Sequence, residues 1–397
     1  MAGRGRVSGV SVLVSLCLLL VSPVACGSRS GTDPVRTQVQ RLLDRRAAAV
    51  LRHDAAAYGD TGTRAGFTEV RSVPLASFTY RVTGVRASGD SAVADAELRY
   101  RLTGYDQAPV TAGRTLRLTR DGDGRWRVAG DRPAPKSAEQ LWDQGAVRVV
   151  RGRHSLVLGV GQSAGQLGSY AALADRAVPA VTDAWGADWP GRVVVLVPES
   201  LDGMARLLGS PASSYRGIAA VTTGETGAPA KAAADRVIVN PDAYGMLGSL
   251  GRQVVLTHET THVATRRATD AATPLWLSEG YADWVGYRGS GRTAAEAAPE
   301  LQRAVADGES PAALPSDADF GFAGDAGRLA RAYEGGWLAC RMIAERWGEP
   351  RLKEFYGAVG EHRERAGAVE DAMRTVLGTT LADFTAEWRD YLRVQLG

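Results

Sequence analysis

Apolar residues recur with two different periods along the chain, and the changes of period mark out its elements. From Pro34 the positions Val35, Val39, Leu42, Leu43, Val50 and Leu51 recur at helical spacing, and Asp33-Pro34 places proline at the first helical position. After Leu75 the period falls to two. Ala92, Ala94, Ala96, Leu98, Tyr100 and Leu102 alternate with polar residues, the pattern of a half-buried strand. Leu116 and Leu118 belong to another strand, which Asp121-Gly122-Asp123-Gly124 turns back into Trp126 and Val128. Gly130 to Lys136 holds two prolines, a glycine and charges, the composition of a semi-rigid linker.

Beyond the linker the pattern changes. Val147, Val149 and Val150 face Leu156, Val157 and Leu158 across Arg151-Gly152-Arg153, a hairpin pattern. A helix follows from about Ser163 to Ala184, with Pro179 expected to kink or break it. Residues 192–198, 217–223 and 236–240 read as strands. Helices then dominate. One runs from about Ala243 to Thr265, with Leu250, Val254 and Val255 expected against the sheet and Arg266-Arg267 suiting its negative end. One surrounds Glu279, and one runs from Ala332 to a Gly348 cap. A last amphipathic helix carries Phe384, Trp388, Tyr391 and Leu392. The polar loops Arg288 to Arg292 and Asp317 to Asp325 are a candidate rim or lid.

These elements predict an α+β chain. Residues 34–130 form a small helix-plus-antiparallel-sheet domain and 131–137 a linker. Residues 138–397 form a larger domain with a mixed sheet and a mainly helical C-terminal half. One long helix followed by a curved antiparallel sheet resembles the NTF2-like or cystatin-like fold, by pattern alone.

The first 33 residues differ from the rest. Arg4 and Arg6 precede an apolar run from Val10 to Val21, too short to span a membrane and typical of an export signal. Ser22-Pro23-Val24-Ala25-Cys26-Gly27-Ser28 resembles a bacterial lipoprotein cleavage site. On that reading residues 1–26 are a signal peptide with its lipobox and Cys26 is lipidated. Residues 27–33 are then a tether at the outer face of the cytoplasmic membrane. Pro23 departs from the usual leucine, so plain secretion stays open. Of three cysteines, Cys17 leaves with the signal and Cys26 carries lipid. Cys340 remains, on an apolar helix face, so no disulfide forms within the folded part. The net charge of +3 falls to +1 once Arg4 and Arg6 are removed (3 − 2). No basic block is present, which argues against a nucleic-acid partner.

The chemistry concentrates at His258-Glu259-Thr260-Thr261-His262, two of only five histidines in the chain. Histidines four apart share one helix face, so both rings reach one metal ion, at roughly 2.0–2.1 Å for zinc. Glu259 beside them suits a general base. Downstream stands Trp276-Leu277-Ser278-Glu279-Gly280-Tyr281-Ala282-Asp283-Trp284. A hydrolytic zinc site needs a third protein ligand, and Glu279 lies 17 residues after His262 (279 − 262), enough for a loop and a returning helix. Asp283, one turn further, could bind the outer nitrogen of a ligating histidine. His53 and His154 have no ligand-spaced partners, and His362 sits in a charged, exposed stretch.

H-E-x-x-H followed by W-L-x-E-G-Y-A-D resembles the gluzincin metallopeptidases, the group that contains thermolysin and aminopeptidase N. The resemblance implies one zinc ion (Zn2+) on His258, His262 and Glu279, with Glu259 as general base on a zinc-bound water. It further implies that Tyr333 stabilises the oxyanion and that a strand before the metal helix pairs with substrate. Within 217–223 the candidates for that strand are Ala219, Ala220 and Val221. No counterpart of the G-x-M-E-N strand of aminopeptidase N is present, so endopeptidase is favoured over aminopeptidase. The expected substrate is a peptide or protein outside the cytoplasm. The other classes are a zinc- or peptide-binding envelope module without turnover and an envelope scaffold. Oligomeric state leaves no mark in the sequence.

Overall fold

The computed structural model describes residues 34–223, 234–321 and 325–397. The signal segment, Cys26 and the tether lie outside the described residues.

Helix α1 (Pro34–Leu51) buries Val39, Leu42, Leu43 and Val50 of the expected stripe, while Val35 is half-buried and Leu51, at the helix end, is exposed. Two short helices follow, α2 (Ala55–Gly59) and α3 (Phe67–Val70). They lead into β1 (Leu75–Ser88), β2 (Ser91–Leu102), β3 (Val110–Arg120) and β4 (Trp126–Pro133). The four strands form an antiparallel meander in chain order. Along β2 every second residue from Ala92 to Leu102 is buried, so alternation sets which face meets α1. Residues 130–133, expected as the start of a linker, instead complete β4 against Arg114 to Arg117. The reason is Asp131, whose carboxylate accepts from Arg114 Nε (2.8 Å) and Tyr80 Oη (2.7 Å) and holds this stretch in the ladder.

The second sheet contains β5 (Arg148–Arg151), β6 (Ser155–Gly159), β7 (Val193–Val197), β8 (Ala220–Thr222) and β9 (Val237–Val239), in the order β5-β6-β7-β9-β8. β6, β7 and β9 are parallel, and the two edge strands run antiparallel to them. The central strands are buried along nearly their whole length, as strands covered on both faces must be. Between β6 and β7 runs α4 (Ala164–Trp185), with Pro179 inside it. The expected break is absent. Ala174, Ala177, Val178 and Val181 are buried on both sides of the proline, and that packing offsets a helix-interior proline's cost of about 3 kcal/mol. Helix α5 (Leu201–Leu208) follows β7.

The helix expected from Ala243 to Thr265 is two helices, α6 (Pro241–Met246) and α7 (Ser249–Thr265). Asn240 caps α6, and Leu247 and Gly248 take extended backbone that separates the pair. Of the residues expected against the sheet, Val255 packs there beside buried Leu256, whereas Val254 is buried at the wall of a cleft on another side. Leu250 is only half-buried and stands outside that apolar cluster.

The remainder is helical: α8 (Leu275–Tyr287), α9 (Ala294–Ala297), α10 (Pro299–Ala306), α11 (Ala326–Trp347), α12 (Glu349–Gly360), α13 (Ala368–Ala372) and α14 (Leu381–Leu396). Trp276, Leu277, Tyr281, Leu338, Phe384 and Trp388 belong to its core, which also buries the free thiol of Cys340. Helices α8 and α11 cross at Gly280 and Gly336, where a Cβ on Gly280 would stand 2.3 Å from the Gly336 carbonyl oxygen. Asp317–Phe320, in the expected lid, is a packed turn: Asp317 accepts from Leu275 N at 2.9 Å and Phe320 is buried.

The two sheets are joined. Arg236 at the start of β9 donates to both oxygens of Asp106 in the β2–β3 loop, at 2.8 and 2.7 Å. One apolar cluster runs from Leu98 through Leu141 to Leu156, Val194 and Ile238. Among the described residues no helix is long and apolar enough to cross a membrane.

Candidate metal centre

Helix α7 carries His258 and His262 on one face, and α8 packs against α7 and brings Glu279 to them. Among the described residues, one group of histidine, cysteine and carboxylate donors converges: His258, His262 and Glu279. The two Nε2 atoms are 3.0 Å apart. Glu279 Oε2 lies 3.2 Å from His258 Nε2 and 3.5 Å from His262 Nε2. Neighbouring ligands of a tetrahedral zinc with bonds of ~2.0–2.1 Å stand roughly 3.3 Å apart. The triangle has that size, its donors are the imidazole and carboxylate types zinc takes, and all three residues are largely buried. The residues fit the ion.

Asp283 Oδ1 lies 2.7 Å from His258 Nδ1, so the ring's outer nitrogen is engaged and Nε2 is left facing the other two donors. Burial pulls the His258 imidazole down, but Asp283 and Glu279 outweigh it and hold the ring well above its ordinary value. Burial likewise pushes Glu279 up, and the two histidines overcome it and hold the carboxyl well below the usual range.

Glu259 is 5% exposed, and its carboxylate is held from the sheet side. Thr222 Oγ1, at the end of edge strand β8, donates to Glu259 Oε2 at 2.8 Å. Nothing in the H-E-x-x-H pattern points to Thr222, which lies 37 residues upstream in a different element. Arg266, expected simply to sit at the negative end of α7, donates to Asp235 (2.9 Å) and to the Thr223 carbonyl (2.6 Å). It ties the end of α7 to the end of β8.

A cleft of about 590 Å³ opens beside this cluster: His258, Glu259, Asp283 and Tyr333 line its wall, whereas His262 and Glu279 stand behind it. Val254, Tyr287, Leu329 and Trp337 make much of the remainder apolar. The Tyr333 ring lies 6.4 Å from the His258 ring and packs edge-on against Phe320 at 5.1 Å. Of the strand candidates, Ala220 and Val221 are in β8 and Ala219 immediately precedes it; Ala219 and Ala220 line the cleft. Sequence reasoning also passed over Glu334, on the cleft wall. Its carboxylate accepts from Glu300 N (3.2 Å) and Leu301 N (2.5 Å) at the start of α10. Burial pushes its pKa up to about 7 against the pull of those two donors. The His154 main-chain amide donates to Asp175, and the His362 ring stands in local contacts with the Glu364 carbonyl and Asp371. His53, two residues beyond the end of α1, has a left-handed φ of 54°.

No family model matches the chain, and no curated protein matches it. Among solved structures it is similar to an M1 zinc metallopeptidase from Deinococcus radiodurans, seen as a mutant alone and as that mutant bound to a Tyr-Ser-Ala substrate. It is also similar to a two-domain M1 zinc metallopeptidase mutant bound to L-arginine. Identity is 16% in each case, and the TM-scores are 0.34, 0.35 and 0.36. The matches cover 80–81% of this chain and 61–63% of theirs, so the chain spans less than two thirds of their length.

Proposed function

We propose that the chain is a zinc-dependent peptidase acting outside the cytoplasm, with His258, His262 and Glu279 as the zinc ligands. The observation that carries the reading is the triangle of three donor atoms, of tetrahedral-zinc size, beside a buried glutamate at the wall of a peptide-sized cleft. A zinc ion held there supplies a Lewis acid for water and for the scissile carbonyl. Glu259 acts as general base: it takes the proton of the attacking water and returns it to the departing amine. Asp283 holds the His258 ring in the tautomer that presents Nε2. The Tyr333 hydroxyl donates to the carbonyl oxygen as negative charge gathers there. The outer edge of β8, with Ala219, Ala220 and Val221, pairs with an extended substrate.

The preference for endopeptidase over aminopeptidase rests on the carboxylates in the described cleft wall. Glu259 is reserved as base, Asp283 is bonded to His258, and Glu334 is bonded to the start of α10. None is left to hold a free ammonium group. We read residues 1–26 as an export signal and Cys26 as the point of lipid attachment, for an enzyme at the outer face of the cytoplasmic membrane, or secreted if Cys26 is not lipidated, and the first sheet with α1 as NTF2-like.

The test is to load residues 27–397 with zinc, incubate them with a diverse peptide mixture and map cuts by mass spectrometry. Internal cuts that vanish in Glu259→Gln are expected. Stepwise trimming from the amino end would move the assignment to aminopeptidase. One zinc per chain without any cuts would replace the enzyme by a binding module.

A further inference from the structure

We propose that Thr222 is a positioning residue for Glu259, so that the last residue of the edge strand aims the general base. The proposal rests on the peptidase reading above.

Three observations carry it. The first is the contact. Thr222 Oγ1 stands 2.8 Å from Glu259 Oε2 and 3.0 Å from the Glu259 main-chain carbonyl, and its single proton goes to the charged, nearer acceptor. The second is burial. Thr222 is 0% exposed and Glu259 is 5% exposed, so no water competes freely for the bond. Oε1, the other oxygen, takes no hydrogen bond from any described residue. It is the atom left for the proton of the attacking water. The third is rigidity. Thr222 pairs with Val237 in the ladder, and a β-branched side chain is stiff at χ1. The next residue, Thr223, is fixed by Arg266 through its carbonyl and by Arg236 N through its hydroxyl. The hydroxyl therefore points from a fixed place. A glutamate side chain has three rotatable bonds, and anchoring one oxygen removes most of that freedom before substrate arrives.

This also gives β8 a double task. Its outer edge is the candidate partner for the substrate backbone, and its last side chain holds the base. Substrate and base would be registered against the same three-residue strand.

The experiment compares wild type, Thr222→Val and Thr222→Ser as zinc-loaded 27–397 proteins. The substrate is an internally quenched peptide built on the fastest cut in the mapped mixture. Valine keeps the shape and removes the donor, whereas serine keeps the donor. Expected are a ten- to hundredfold fall in kcat for Thr222→Val, KM within threefold, one zinc per chain, and Thr222→Ser within about fivefold of wild type. A kcat within twofold of wild type for Thr222→Val overturns the proposal, and so does a folded Thr222→Ser as slow as valine. The pair is also read without turnover. In difference infrared spectra of 13C-glutamate-labelled protein, the carboxylate band absent from Glu259→Gln should shift in Thr222→Val. An unshifted band overturns the proposal whether or not peptides are cut. A shifted band in a wild type that cuts nothing overturns the peptidase reading alone.

Discussion

His258 Nδ1 and Asp283 Oδ1 lie 2.7 Å apart, from two helices that meet face to face. The bond fixes which ring nitrogen is turned toward His262 and Glu279. Asp283→Asn keeps the size and loses the charge. Zinc affinity is expected to fall ten- to hundredfold, the usual cost of losing such an outer partner, and competition against a graded chelator measures it. Unchanged affinity would mean that helix packing alone orients the ring.

Gly280 and Gly336 allow α8, with Glu279 beside His258, to approach α11, whose Tyr333 lines the cleft. A methyl group at Gly280 would meet the Gly336 carbonyl oxygen at 2.3 Å and its carbonyl carbon at 2.4 Å, both rigid backbone atoms. Gly280→Ala is expected to cost about 3 kcal/mol, the upper end for overpacking, because neither atom can swing aside. Urea unfolding checks it. Zinc binding should weaken in the same variant, since Glu279 is the neighbouring residue.

Arg236 and Asp106 form a bidentate pair with side chains 7% and 1% exposed. Arg236→Met leaves a carboxylate buried without its cation and is expected to cost ~3–5 kcal/mol. The double variant Asp106→Leu with Arg236→Met should recover most of that loss, because apolar pairs of similar volume replace buried ion pairs at little cost. Thermal unfolding of the three variants against wild type reads the difference. A double variant as weak as the single one would show that the pair also sets the register of β9.

Glu334 gives a pH dependence with a definite sign. Its folded pKa is raised to about 7, so the fold favours the protonated form. The resulting stability is fully present below the unfolded carboxyl value, near 4.3, and is lost as pH rises from there through about 7. Allowing for partial exposure, the loss is about 1 kcal/mol. Wild type should lose that much relative to Glu334→Gln between pH 4.5 and pH 8 in urea unfolding. Parallel curves would mean that the α10 donors fix the carboxylate as an anion.

Much of the site was written in the chain itself. A four-residue spacing is a local, helical relation, so His258 and His262 had to share a face once α7 formed. The Glu279–Asp283 spacing works the same way on α8. The alternation along β2 and the stripe along α1 likewise depend on near neighbours, and those elements stand where the periods put them. Other features depend on partners distant in the chain. Pro179 stays inside α4 because of burial on both sides of it, and residues 130–133 join β4 because Asp131 meets Arg114 and Tyr80. Leu247 and Gly248 part α6 from α7, although the apolar pattern runs on through them.

The sequence by itself determined the candidate donor types, their spacing along each helix and the glutamate beside them, because those follow from helical geometry. Only the tertiary structure decided that α7 and α8 meet, and that α8 packs on α11 through Gly280 and Gly336, whose lack of a Cβ matters only when a second backbone arrives. It alone brought Thr222 to Glu259 and Glu334 to the cleft. A hydrogen bond between residues 37 positions apart obeys no period, and it exists only after the edge strand has docked beside the helix.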